Sequence, residues 1–333
     1  ASQGQRVLAL AMRKWERIPE NPTPDTAEEN LIFLGFFAMQ DPPRTEAKEA
    51  VAINRQAGIK TVMITGDHQD TALAIAKELD IWREGDGIFT GTQLEKMSEE
   101  ELKKEVTRTT VYARVSPEHK LRIIAALKAH NHVVAMTGDG VNDAPALKRA
   151  DIGAAMGITG TEVAKEASDM VLLDDNFATI VNAVKEGRTI YSNIRKSIQY
   201  LLSCNTGEIV AIFSAIILGL GSPLTPIQIL WLNLVTDGPP ALALGLEPAE
   251  KGVMNRPPRS HNEGVFAGGV GVSILYQGAI IGLVSLTAYW LALSWGRSME
   301  EAHTMAFLTM ALSQLIHSFN ARSFDVSLFR LGI

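Results

Sequence analysis

The chain has 333 residues, one cysteine (Cys204), a formal net charge of −6 and a mean hydropathy of +0.08. A lone cysteine excludes a disulfide framework and suits a reducing compartment or a membrane location, 27 Gly and 14 Pro exclude a collagen-like chain, and a pI near 5.7 argues against nucleic acid as a partner. The length suggests two domains, and the eight basic and eight acidic residues after Tyr191 cancel, so the whole −6 belongs to the first 190 residues.

In the charged part, apolar runs of strand type alternate with helical patterns. Strands are expected at Leu31–Met39, Thr61–Thr65, Val111–Val115, His132–Met136, Asp151–Met156 and Met170–Leu173. Helices are expected near 45–57, 69–79, 118–129, 143–149, 161–168 and 177–190. That alternation predicts an α/β domain, a parallel sheet with helices on both faces and ligands at the carboxyl ends of the strands. Val7–Met12 is too short for a signal-peptide core.

Small polar and acidic residues stand at those strand ends. Thr65-Gly66-Asp67 ends one strand, and Thr137-Gly138-Asp139-Gly140-Val141-Asn142-Asp143 ends another. Gly138 and Gly140 would let the backbone approach a ligand closely. Asp139 and Asp143 place two carboxylates around one turn, which suits Mg²⁺ completed by water and phosphate oxygens. Asn142 can hydrogen-bond a phosphoryl group, Thr65 offers a hydroxyl to the same oxygens, and Lys120, in Arg114-Val-Ser-Pro-Glu-His-Lys120, supplies a cation at a helix start.

The second part contains no charge in Ile209–Thr236, Gly264–Gly296 or Ala302–Ala321, and about 20 apolar residues span a bilayer core. The turn signals at 219–226 divide the first run. Four spans follow, about 197–219, 226–246, 266–294 and 302–319. Lys and Arg cluster before the first span, between the second and third, and after the fourth, which orients those segments and the charged domain to the cytoplasm. Glu208 and Asp237 are the two carboxylates inside the spans, and an acid at membrane depth marks a functional site. Asn205 and Glu208 share one helix face, as do Asn233, Thr236 and Asp237, and Pro239-Pro240 disturbs the helix at once. These hard oxygen donors predict an intramembrane cation site of the kind Ca²⁺ prefers.

The run MTGDGVNDAPALKRADIGAAMG, with TGD at 65–67, DPPR at 41–44 and Lys120 in ARVSPEHK, resembles the phosphorylation domain of P-type ATPases, built on the haloacid-dehalogenase-like fold. NTGE at 205–208 and NLVTDGPPALALG at 233–245 resemble the fifth and sixth transmembrane helices of type II calcium pumps, close to the sarco/endoplasmic-reticulum group. The resemblance implies domains at 1–40 (end of a nucleotide-binding domain and hinge), 41–190 (phosphorylation) and 191–333 (transmembrane). It implies an ATP-driven Ca²⁺ exporter working through an aspartyl phosphate. Asp139 and Asp143 would hold Mg²⁺; Lys120, Thr65 and Asn142 would stabilise the phosphoryl group. Arg6, Thr65, Gly66, Asp67, Arg114 and Lys120 would meet ATP, and Asp41-Pro-Pro-Arg44 would belong to the hinge. Asn205, Glu208, Asn233, Thr236 and Asp237 would ligate Ca²⁺. Where two-ion members carry a glutamate in the eighth helix this chain reads Gln314, a neutral ligand, which favours one strong site; His317 is expected as a packing residue.

No DKTGT occurs, so the aspartate that accepts phosphate is outside these residues. The chain is expected to be one segment of a pump, inactive alone, with the lipid bilayer and the remainder of the pump (actuator, nucleotide-binding domain and other helices) as partners, in a plasma membrane of bacterial type. Competing readings are a pump for Mn²⁺, Na⁺ or H⁺, a membrane-tethered haloacid-dehalogenase-type phosphatase, and a non-catalytic binding fragment. The phosphatase reading does not account for two intramembrane acids on polar faces.

Overall fold

A computed structural model describes residues 6–15, 23–39, 43–260, 263–324, 326 and 328–331. The side chain of Arg6, and Asp41 and Pro42 of the expected hinge, lie outside the described residues. The chain divides into two compact units, Ala1–Asn182 with Met254–Pro258 and Ala183–Val253 with Arg259–Ile333.

In the first unit, β1 (Arg6–Met12) and β2 (Ile32–Met39) form an antiparallel ribbon with the short α1 (Pro24–Ala27) between them. There follow α2 (Thr45–Gln56), β3 (Met63–Ile64), α3 (Gln69–Glu78), β4 (Gly87–Thr90), α4 (Gly91–Lys96), α5 (Glu99–Val106), β5 (Thr109–Ala113) and α6 (Pro117–Ala129). Next come β6 (Ala135–Gly138), a 3-10 turn (Val141–Asp143), α7 (Ala144–Arg149), β7 (Ile152–Met156), α8 (Glu162–Glu166) and β8 (Met170–Leu172). Five of the expected strands pair in parallel, but the sixth, Leu31–Met39, lies instead in the antiparallel ribbon as β2, and the single expected sheet is two three-stranded sheets, in the orders β3-β5-β4 and β6-β7-β8. Sheet pairing is decided by partners distant in sequence, and β3 and β6 each keep one edge without a described partner.

Helix α6 joins the two sheets. Ile123 and Ala126 pack with Leu94, Leu102 and Tyr112 against one, while Ile124 packs with Val134, Met136 and Ala155 against the other. Its start is fixed locally: Ser116 and His119 form a capping box and Pro117 occupies the first turn, where its missing N–H is no loss. This brackets Lys120 in the opening turn, at the carboxyl end of β5.

The second unit is helical. The 41-residue α9 (Phe177–Ile217) crosses the division between the units, so the expected boundary at 190/191 falls inside a helix. It is followed by α10 (Pro226–Trp231), a π-helical turn (Leu232–Thr236), α11 (Gly238–Gly245), α12 (Val270–Ser294), α13 (Met299–Asn320) and α14 (Leu328–Leu331), and a 3-10 turn (Val253–Asn255) after α11 leads into the short segment that belongs to the first unit. α9 and α12 are long and apolar enough to cross a bilayer. The segments 226–246 and 302–319 are helical too, but the first is interrupted by the π turn and α13 opens on Glu300 and Glu301. Ile209, Phe213, Val272 and Leu312 are exposed, the apolar exterior that a bilayer covers, while Ala211, Leu232, Ile281, Ala306 and Met310 fill the interior.

Small residues bring α9 and α12 together. A Cβ on Gly278 would stand 2.5 Å from the Thr206 Cβ, and one on Gly282 2.5 Å from the Gly207 carbonyl oxygen. The Gly278-x-x-x-Gly282 spacing thus lets the two backbones touch beside Glu208. Gly278→Leu is expected to force the helices apart, destabilising the bundle by about 1–3 kcal/mol. Thermal unfolding in detergent checks this; an unchanged midpoint would contradict the packing.

Candidate functional site

Two groups of polar residues stand out, one in each unit. In the first unit, the loop Thr65-Gly66-Asp67 closes on itself. The Thr65 hydroxyl donates to the Asp67 carboxylate at 2.8 Å, and the Asp67 N–H donates to the Thr65 Oγ1 at 3.1 Å. Arg114 N–H donates to the Asp67 carbonyl at 3.1 Å and Val115 N–H to the Thr65 carbonyl at 3.3 Å, with Arg114 held at φ 51°. That non-glycine residue in the left-handed region brings the ends of β3 and β5 together. Gly66, Asp67 and the Arg114 side chain are exposed.

At the end of β6, Lys120 Nζ lies 2.5 Å from Asp143 Oδ1. The other oxygen, Oδ2, accepts from the N–H groups of Asp139 and Gly140, both at 3.2 Å. Burial pushes the Asp143 carboxyl up, but the Lys120 ammonium and these N–H groups outweigh it and hold it below the usual carboxylate range. Asp143 is therefore already engaged by protein groups on both oxygens. Asp139 differs: it is exposed, and its carboxylate makes no hydrogen bond among the described residues, while its carbonyl accepts from Thr161 N–H at 2.8 Å. Asn142 is exposed on the same loop.

Of the two glycines singled out here, only Gly138 is sterically required. A Cβ on it would meet the Asp143 Cβ at 2.4 Å, whereas one on Gly140 would make ordinary contact at 3.7 Å. Gly138→Ala is expected to displace Asp143 from Lys120 and destabilise the first unit by about 1–3 kcal/mol. Urea unfolding compared with Gly140→Ala tests this, since the second variant should be nearly silent.

No group of three His, Cys, Asp or Glu side chains sits at metal-holding distance among the described residues. Mg²⁺ does not need one, because it takes one or two carboxylates and fills its shell with waters and phosphate oxygens. The open carboxylate of Asp139 fits that donor set. Asp143, with both oxygens engaged, fits instead as the group that positions Lys120.

The second group lies in the helical unit. Asn233 Nδ2 donates to Glu208 Oε2 at 3.0 Å, and Gln314 Nε2 approaches Glu208 Oε1 at 3.4 Å, so α9, the π turn and α13 converge on one carboxylate. Tyr200 donates its hydroxyl to Asp237 Oδ1 at 3.3 Å. Glu208, Thr236, Asp237 and Gln314 are all buried. The π turn accounts for their arrangement: an extra residue in the turn ahead of Pro239 and Pro240 swings Asn233, Thr236 and Asp237 off a regular α-helical face. Asn205 is half-buried on α9 and makes no side-chain hydrogen bond to this cluster.

Two buried oxygens, Asp237 Oδ2 and Gln314 Oε1, have no hydrogen-bond partner among the described residues. Both can only accept, and burying such atoms unpaired is costly, so they suit a cation. Tyr200 and Cys204 are fully buried within this cluster's helix face and did not emerge from the pattern of acids and amides. Tyr200 stands eight residues before Glu208, and that spacing is the signal that could have found it. His317 packs on the Tyr200 ring at 5.8 Å between centroids.

Comparison with known proteins follows the same division. The profile of haloacid dehalogenase-like hydrolases matches residues 3–151, and that of the C-terminus of cation transporting ATPases matches 221–333. The chain is 52% identical to a calcium-transporting ATPase of Bacillus subtilis over 99% of its own length and 37% of that protein's. It is 50% identical to calcium-transporting ATPase 1 of Bacillus cereus over 98% of its length and 38% of the relative's. It is 42% identical to a probable cation-transporting ATPase F of Mycobacterium bovis over 100% and 37%. The chain thus spans less than two fifths of the length of these relatives.

Proposed function

We propose, from the premise that this chain belongs to the P-type cation-transporting ATPases, that it supplies the phosphoryl-stabilising residues and the membrane cation ligands of an ATP-driven Ca²⁺ exporter. The observation that carries the reading is the pair of buried carboxylates, Glu208 and Asp237, beside the unpartnered oxygens of Asp237 and Gln314. Carboxylate, amide and hydroxyl oxygens from three helical segments are the donors Ca²⁺ favours. The names of the Bacillus relatives point the same way.

In this reading Glu208, Asn233, Thr236, Asp237 and Gln314 take Ca²⁺ from the cytoplasmic side, with Asn205 one turn away on α9. The soluble unit is cytoplasmic and the membrane is the plasma membrane. Mg²⁺ would neutralise charge on the transferring phosphoryl group, with Asp139 as its protein carboxylate. Lys120, held by Asp143, offers its ammonium to the phosphoryl oxygens; Thr65 and Asn142 donate hydrogen bonds to them. Gly66, Asp67 and Arg114 form the exposed rim that ATP meets, and Arg6 serves its phosphates. The aspartate that takes the phosphoryl group comes from elsewhere in the whole protein. Its strand fits the edges of β3 and β6 that have no described partner, because each of those strands leads into a Thr-Gly-Asp loop and α6 packs on both sheets.

Membrane vesicles containing the whole protein test the cargo. ATP-dependent uptake of Ca²⁺ that exceeds uptake of Mn²⁺ and Na⁺ supports the reading. Equal or greater uptake of either competitor would overturn the ion assignment, and ester hydrolysis indifferent to every cation would replace the pump by a tethered phosphatase.

A further inference from the structure

One buried charge takes no part in either site. Lys196 on α9 is 1% exposed, and among the described residues it is the one buried lysine or arginine. Its ammonium pairs with Glu250, in the segment after α11, at 2.7 Å, and approaches Asn193 Oδ1 at 3.4 Å.

Its position gives it a purpose. Lys196, Tyr200, Cys204 and Glu208 follow one another at intervals of four along the buried stripe of α9. From that face polar side chains reach an antiparallel neighbour, rung by rung: Glu208 to Asn233, Tyr200 to Asp237, Ser197 to the Ala241 carbonyl, Asn193 to the Glu247 carbonyl, and Lys196 to Glu250. The ladder starts at the cation site and ends at the ion pair.

The rungs are not equivalent in what they specify. A hydroxyl or amide bonded to a backbone carbonyl can move to the next carbonyl with little penalty, because every residue presents one. A buried ammonium needs a carboxylate, and leaving it unpaired is far costlier. The other acid within a turn of Glu250 is Glu247, and Arg322 holds it at 2.7 Å. A slip that brought Lys196 to Glu247 would break that second pair, so the charges allow one register.

We propose that Lys196 is a positioning residue for the cation site. Its pair with Glu250 fixes the register of α9 against the segment carrying Asn233, Thr236 and Asp237. The inference rests on the reading of Glu208 and Asp237 as cation ligands. Opening the pair lets the two ligand-bearing faces slide, lowering cation affinity while leaving the phosphoryl chemistry of the soluble unit untouched.

The test uses the whole pump with Lys196→Met, Glu250→Gln, the double variant and Lys196→Arg. Two quantities are read: the Ca²⁺ concentration for half-maximal phosphorylation from ATP, and the phosphoenzyme level formed from inorganic phosphate without Ca²⁺. Each single loss is expected to raise the half-saturating Ca²⁺ by roughly tenfold, an effect in the range of mutations that alter coupling without touching ligand. The double variant should be no worse than the poorer single one, Lys196→Arg should recover most of the affinity, and the level from phosphate should hold. Unshifted single variants, or effects that add in the double variant, overturn the inference. If Lys196→Met fails to fold, Glu250→Gln decides by the same two readings, since Glu250 is partly exposed. Wild-type phosphorylation from ATP that ignores Ca²⁺ would instead overturn the reading of the cation site.

Discussion

Asp237→Asn in the whole protein is expected to weaken Ca²⁺ activation of phosphorylation from ATP by at least roughly a hundredfold, because Ca²⁺ affinity follows the count of charged ligands and a tenfold change needs only about 1.4 kcal/mol. Asn nearly matches Asp in shape and can still accept from Tyr200, so packing around the π turn should survive. What disappears is the negative charge beside the unpartnered oxygen. Phosphorylation from inorganic phosphate without Ca²⁺ should persist in this variant, which separates a lost ligand from a lost fold. Normal Ca²⁺ activation of the variant would remove Asp237 from the site.

Asp139→Asn should do the converse. Removing the exposed carboxylate at the end of β6 is expected to slow Mg²⁺-dependent phosphoryl transfer by about 10²–10³-fold, the range for losing one preorganised electrostatic group. Ca²⁺ binding measured directly should be unchanged; loss of both would contradict the division of labour between the units. Asp143 should respond differently to pH. Its folded-state pKa is depressed, so the stability it contributes is present above the ordinary carboxylate range and is lost as pH falls through the folded value. In Lys120→Met the largest lowering influence on Asp143 is gone while its unfolded-state pKa is unchanged, so the loss of stability on acidification should be smaller than in the wild type.

Much of the helical half could be read from sequence because its signals are local. The i, i+3 and i, i+4 faces of Asn233, Thr236 and Asp237, and the disturbance ahead of Pro239-Pro240, need no distant partner. The form of that disturbance, a π turn rather than a break, depends on how the segment packs. Tyr200 was overlooked because its ring reads as core, and its role comes from a single hydroxyl that meets a residue 37 positions away. Asn205 illustrates the reverse: it shares a turn with Glu208 yet stays outside the hydrogen-bonded cluster.

In the soluble half, strands with several buried apolar residues were readable, whereas Gly87–Thr90 was not, since Ile88 and Phe89 are too few to establish a period. α5 carries a capping box at Ser98 and Glu101 before a strongly charged stretch, a start signal that apolar periodicity alone passes over. The division into two sheets follows from pairing across long separations, which no local pattern encodes. The difference in hydrogen bonding between Asp139 and Asp143 was hidden for a similar reason. Both are aspartates on one turn, and only the approach of Lys120 from α6 engages one and leaves the other open.

In the proposed pump Ca²⁺ binding gates phosphorylation, and labelling of the whole protein by radiolabelled ATP tests this coupling most directly. With Mg²⁺ present, label should enter the protein when Ca²⁺ is added and should be absent when Ca²⁺ is chelated. Equal labelling under both conditions would contradict it.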